Sequence, residues 1–164
     1  MTVDPAKVDL PDAPVAFVDA PRHPLLQQLH AYWLSKRATH SMPSRADIHP
    51  AEIKPILPAV IIWNASSPYL VRLVGDHIVR FVGINLTGLP ATHGKPSGAA
   101  GIITTIFETV IATRSPRFRK GKAFWKPDKA YRDFESCFLP LSADGSNVDM
   151  ILGGLKYDLE NNSV

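Results

Sequence analysis

The chain lacks most of the residues and runs from which dedicated sites are built. One cysteine, Cys137, in 164 residues leaves no intrachain disulfide and no multi-thiolate zinc site, and fits a reducing compartment. The longest apolar run, "AVIIW" at 59–63, is far too short to cross a bilayer. The opening "MTVDPAKVDL" carries neither the basic segment nor the apolar core of a secretory signal. A cytoplasmic protein that does not enter a membrane is expected.

Catalytic words are missing as well. Gly-x-Ser-x-Gly, whose glycines permit a nucleophile elbow, does not occur. His23, His30, His40, His49, His77 and His93 are scattered with no His-x-x-x-His spacing, so no zinc pair shares one helix face. "GLPATHGKPSG" at 88–98 approaches a phosphate-binding loop, but five residues separate Gly88 from Gly94 and Pro96 stands where a hydroxyl should bind magnesium. Asp47, Asp76, Glu108 and Glu135 show no paired spacing. The sequence therefore points away from an enzyme.

What is present is an ordinary globular composition, 45% hydrophobic and 20% charged, on a chain long enough for one domain. The net charge of +3 is concentrated in "RSPRFRKGKAFWKPDK", 114–129, where Phe118, Phe124 and Trp125 interleave with basic residues. Two readings stand: a stacking surface for nucleotide or RNA, or a strand edge guarded by lysines.

Prolines 5, 11, 14 and 21 mark residues 1–22 as an irregular N-terminal arm. In "PLLQQLHAYWLSKR" helical spacing gathers Leu25, Leu26, Leu29, Tyr32 and Trp33, and Lys36 and Arg37 suit the C-terminal end. His30, without a ligand partner nearby, belongs to packing or surface. "HSMPSRADIHP", 40–50, supplies loop residues: Asp47 and Pro50 belong to a cap and a first helical turn, and Arg45 ties the loop down. "AVIIW" and "YLVRLV" read as a hairpin, 75–83 as a short helix, and "AGIITTIFETVIATRSP" as a helix with Ile103, Ile106, Phe107 and Val110 on one face. Strands follow at 117–125, 133–141 and 148–159. This order gives an α+β domain with a five-stranded, mostly antiparallel sheet, helices packed on it and an additional N-terminal helix. Its span is 23–159, before a short tail, 160–164.

The words "YWLSKR", "MPSRADIHPAEIKPILP", "YLVRLVGDHIVRFVGINLTG" and "FLPLSADGSNVDMILGG" together resemble the single-domain bacterial PAS proteins of the PAS type 5 family, over roughly residues 25–157. The resemblance implies a PAS-like fold whose sheet wraps against helices and leaves room for a small, mostly apolar molecule. It implies a non-catalytic sensory or regulatory role in signal transduction, exerted through a signalling protein in trans or a homodimer. Mapped onto this chain, Trp63, Arg72, Phe124 and Met150 approach the ligand from strands, and Ile106, Phe107 and Val110 from the long helix. Arg72, interrupting "YLVRLV", needs a partner such as Asp47 or Asp76, or else reaches solvent along its stem. Haem held by His77 or His93 and a non-covalent flavin are the cofactors to test. Covalent flavin photochemistry is not expected, because "GINLTGLP" lacks the cysteine such members use. The alternatives are a small enzyme with a His/Asp acid-base site in the cavity, or a nucleotide or RNA binder through 114–129.

Overall fold

Among the described residues three α-helices, α1 (Pro24–Lys36), α2 (Asp76–Val82) and α3 (Ser97–Thr113), accompany six strands: β1 (Ala16–Val18), β2 (Val60–Asn64), β3 (Val71–Val74), β4 (Arg117–Lys122), β5 (Asp133–Leu141) and β6 (Met150–Tyr157). The computed structural model describes residues 16–95, 97–122 and 133–157. The strands form one sheet in the order β1-β4-β5-β6-β2-β3, every neighbouring pair antiparallel.

Both faces of this sheet are covered, which is why "AVIIW" reads as an unbroken apolar run rather than an alternating one. Ile61 and Trp63 point to the face that α2 and α3 cover, together with Phe134, Phe138, Ile151 and Leu155. Val60 and Ile62 point the other way, to join Cys137, Leu139 and Leu152 beneath α1. The α3 periodicity holds: Ile103, Ile106, Phe107 and Val110 are buried, although the helix begins at Ser97 rather than at Ala100. Leu26, Leu29 and Trp33 are the buried face of α1, and each fully buried leucine contributes roughly 2 kcal/mol over its exposed form.

α1 starts where several weak signals coincide. Pro24 is its first residue, and His23 Nδ1 accepts the Leu25 N–H at 3.1 Å. The Glu135 carboxylate of β5 accepts the backbone N–H groups of Arg22 and His23, so the helix entrance is pinned to the sheet. Half-buried His30 packs edge-on against Phe118, with ring centroids 5.0 Å apart, as a packing residue should.

The segment 40–50 turns the chain from α1 to β2 through single-turn 3-10 helices at Arg45–Asp47 and Pro50–Ile53. Asp47 and Ser44 form a reciprocal capping box: the Ser44 N–H donates to Asp47 Oδ2 at 2.9 Å and the Asp47 N–H to Ser44 Oγ. Pro50 opens the second turn as expected, but its N-cap is His49, which makes no side-chain cap bond. Arg45 donates to the Ile48 carbonyl within the loop at 2.9 Å. The tie to the rest of the fold that was expected of Arg45 comes instead from Tyr32, whose hydroxyl accepts the His49 N–H and donates to Glu52.

Two features depart from the expected sheet. A sixth strand, β1, comes from the arm read as irregular: Ala16–Val18 pair with Phe118–Lys120 of β4. At the centre, Gly153 and Gly154 lie side by side in β6. A Cβ on Gly153 would sit 2.4 Å from the Trp63 ring, and one on Gly154 would sit 2.6 Å from Leu26. Side chains from opposite faces thus rest directly on the β6 backbone. The expected tail, 160–164, lies outside the described residues.

Candidate functional site

A cavity of about 50 Å³ lies between the sheet and the α2–α3 face. Its sheet wall comes from Ile61, Trp63, Val71, Phe138, Leu155 and Tyr157, and its helical wall from Ile78, Val82 and Ile103, with Leu86, Pro90 and Ala91 from the connection. Two cationic side chains reach the same space, Arg119 from β4 and Lys95 from the loop before α3.

Arg119 is buried, at 4% exposure. Its Nε–H donates to Ser136 Oγ at 3.1 Å, and its guanidinium carbon lies 5.1 Å and 5.4 Å from the Phe134 and Phe138 ring centroids. Register explains this: Arg119 faces Ser136 across β4–β5 and Phe17 across β1–β4, so the arm strand closes over it. Burial pulls its pKa down to about 10, which leaves it charged at neutral pH. Lys95 Nζ donates to the Ala91 carbonyl at 2.7 Å. Burial pushes the neighbouring Tyr157 phenol up to about 12, and its ring stacks on Phe81.

Of the residues singled out in the sequence, Trp63 reaches the cavity wall. Its ring packs 4.9 Å from Phe107 and 5.7 Å from Phe138. Ile106, Phe107 and Val110 are fully buried behind that wall and serve as packing. His77 is buried beside the site, where its Nε2 accepts the Tyr157 N–H at 3.1 Å. Three expectations require correction. Arg72 is not in the cavity lining but exposed on β3, the solvent-reaching alternative read from the sequence. Met150 projects to the opposite face and, partly buried, packs against the core beneath α1, because β6 alternates sides. Phe118, read as a stacking aromatic, is buried in that same core. Phe124, Trp125 and the remainder of the basic segment from 123 to 129 lie outside the described residues.

The cofactor candidates fit this geometry poorly. His77 has its Nε2 lone pair committed to the backbone and His93 is exposed, so neither presents an axial nitrogen to the cavity. The volume is far below the several hundred Å³ that a flavin-sized ligand occupies. Cys137 faces α1, on the far side of the sheet from the cavity, with its thiol pushed up to about 12 by burial. Among the described residues no histidine, aspartate or glutamate lines the cavity, and no cluster of metal-ligating side chains occurs. No helix among them is long and apolar enough to cross a membrane.

Sequence reasoning assigned Arg119 to the basic surface segment 114–129 rather than to the cavity, and missed Lys95 and Tyr157. Arg119 had a faint signal in "RFRK", where apolar and basic residues alternate, but the alternation alone does not say which face is covered.

A six-stranded antiparallel sheet with a small cavity between it and α2 and α3 places the chain in the α+β class. The PAS domain family matches residues 21–156, and the chain belongs to it. PAS domains are typically sensory or regulatory. No curated protein matches the chain. Among solved structures it is similar to the PAS domain of Bordetella pertussis BvgS, at 16% identity and a TM-score of 0.51, covering 83% of this chain and 89% of that one. An RNA-binding light-oxygen-voltage receptor aligns at 13% identity with a TM-score of 0.51, over 88% of this chain, which spans only 38% of that receptor. The Rhodobacter sphaeroides LOV protein aligns at 10% identity with a TM-score of 0.48, over 71% of each chain.

Proposed function

We propose that this PAS domain is a sensory or regulatory module without chemistry of its own. It takes up a small, mostly apolar molecule between the sheet and α2–α3 and reports to a signalling protein in trans or to a second copy of itself. The observation that carries this reading is the cavity, whose walls are Trp63, Phe138 and branched aliphatic side chains from both layers.

Both alternatives lack comparable support. An acid-base enzyme needs at least two titratable groups suited to proton transfer converging in its cavity, and the described lining offers no His/Asp pair. Nucleic-acid binding through 114–129 would lose Arg119 and Phe118 from its surface, since both are buried.

Native mass spectrometry of the gently purified whole chain tests the proposal. The expected result is a small-molecule adduct that is lost on denaturation, and lost as well in Ile103→Phe, which fills the cavity. An adduct that survives Ile103→Phe places the ligand elsewhere and overturns the assignment.

A further inference from the structure

We infer that the molecule held in this cavity is an uncharged short-chain carbonyl compound whose oxygen accepts a hydrogen bond from the Tyr157 hydroxyl. The inference rests on the ligand-binding reading above and adds the polar chemistry of the ligand.

Tyr157, the last residue of β6, lines the cavity and is 5% exposed. Its main-chain N–H is committed to His77 Nε2, and its ring lies nearly parallel to that of Phe81, with centroids 3.7 Å apart. The hydroxyl forms no hydrogen bond among the described residues. The Arg119 guanidinium, another part of the lining, acts on it electrostatically, which puts the hydroxyl on the cavity side of the ring. A buried donor left in this state is costly. The stacked rings hold it in one direction, so a ligand that accepts from it gains a hydrogen bond with little loss of freedom.

The other polar side chains of the described lining narrow the class. Arg119 is engaged by Ser136 Oγ and Lys95 by the Ala91 carbonyl, and both carry further interactions. An anion would therefore exchange its hydration for one neutral phenol donor, a poor trade in a closed space. Arginine, lysine and the Trp63 indole donate and do not accept. An alcohol or amine would bring a proton for which the lining side chains offer no acceptor beyond the phenol itself, whereas a carbonyl brings an acceptor alone. A volume of about 50 Å³ holds roughly four water-sized centres, which suits a body of similar size. Trp63, Ile103, Phe138 and Leu155 receive its hydrocarbon part.

Amide NMR of the isotope-labelled whole chain tests this with butanone, butan-2-ol, butyrate and 2-methyl-1-butene, which has the shape of butanone and no acceptor. Butanone should shift the Trp63, Ile103 and Leu155 amides saturably, with butan-2-ol and butyrate several-fold weaker or silent. Tyr157→Phe keeps the ring and the main-chain bond to His77. It should weaken butanone about tenfold and leave 2-methyl-1-butene unchanged, which also shows that the cavity of the variant is intact. Butanone binding that ignores Tyr157→Phe would overturn the inference and leave the cavity as a ligand site. Butan-2-ol binding as tightly as butanone would overturn the choice of a carbonyl, and butyrate doing so would overturn the absence of charge; both comparisons are made on the wild-type chain and stand even if the variant does not fold. If butanone leaves the cavity amides unmoved while 2-methyl-1-butene shifts them, the inference falls and the ligand-binding reading survives. If neither moves them, both fall, and the hydroxyl is left to water.

Discussion

His77 accepts the Tyr157 N–H through Nε2, and burial, helped by the Lys156 ammonium, pulls its pKa from 6.5 down to about 4. A proton on Nε2 would remove the acceptor. Because the unfolded chain binds that proton more readily, the contribution of His77 to stability is complete above pH 6.5 and is lost as the pH falls from 6.5 through about 4. The urea midpoint of the wild-type chain should fall across that window. His77→Gln keeps an acceptor but does not titrate, and should flatten part of the slope; the remainder includes His23 and His30, whose pKa values burial also lowers. A variant with the wild-type slope would remove His77 from this role. The sequence marked His77 as a haem candidate only as a lone histidine able to serve as an axial ligand. Its actual partner is a main-chain N–H eighty residues away, which no local pattern reveals.

Among the elements, the buried face of α1 carries a polar contact. Trp33 Nε1–H donates to the Pro140 carbonyl of β5 at 2.8 Å, in a buried setting. Trp33→Phe should keep the helix, by far-ultraviolet circular dichroism, but cost about 1–3 kcal/mol in urea unfolding, because the buried carbonyl loses its donor. An unchanged unfolding free energy would mean that water or a shift of α1 replaces the bond. The helix itself was legible from the spacing of Leu26, Leu29 and Trp33, and α3 from Ile103, Ile106, Phe107 and Val110. Strand β1 was not: three residues, "AFV", among prolines have no period to detect, and only pairing with β4 makes them a strand. The burial of Arg119, read from the sequence as part of a basic surface segment, was hidden for the same reason, since β1 lies over it.

For the molecule as a whole, the arm completes the sheet, although the family match begins only at residue 21. Deleting residues 1–20 should open the outer edge of β4 and uncover Arg119. The expected result is a loss of roughly 2 kcal/mol, from the missing backbone hydrogen bonds, and concentration-dependent association through the freed edge by light scattering. A monomer of undiminished stability would show that β1 is dispensable. At the middle of that sheet, the adjacent glycines of β6 give the protein a party wall one main chain thick. Trp63 leans on it at Gly153 from the cavity side and Leu26 and Leu29 at Gly154 from the α1 side. A methyl group added at one position crowds a single room, and the same methyl one residue further along crowds only the other. Neighbouring substitutions can therefore address the ligand side and the α1 side of this domain separately.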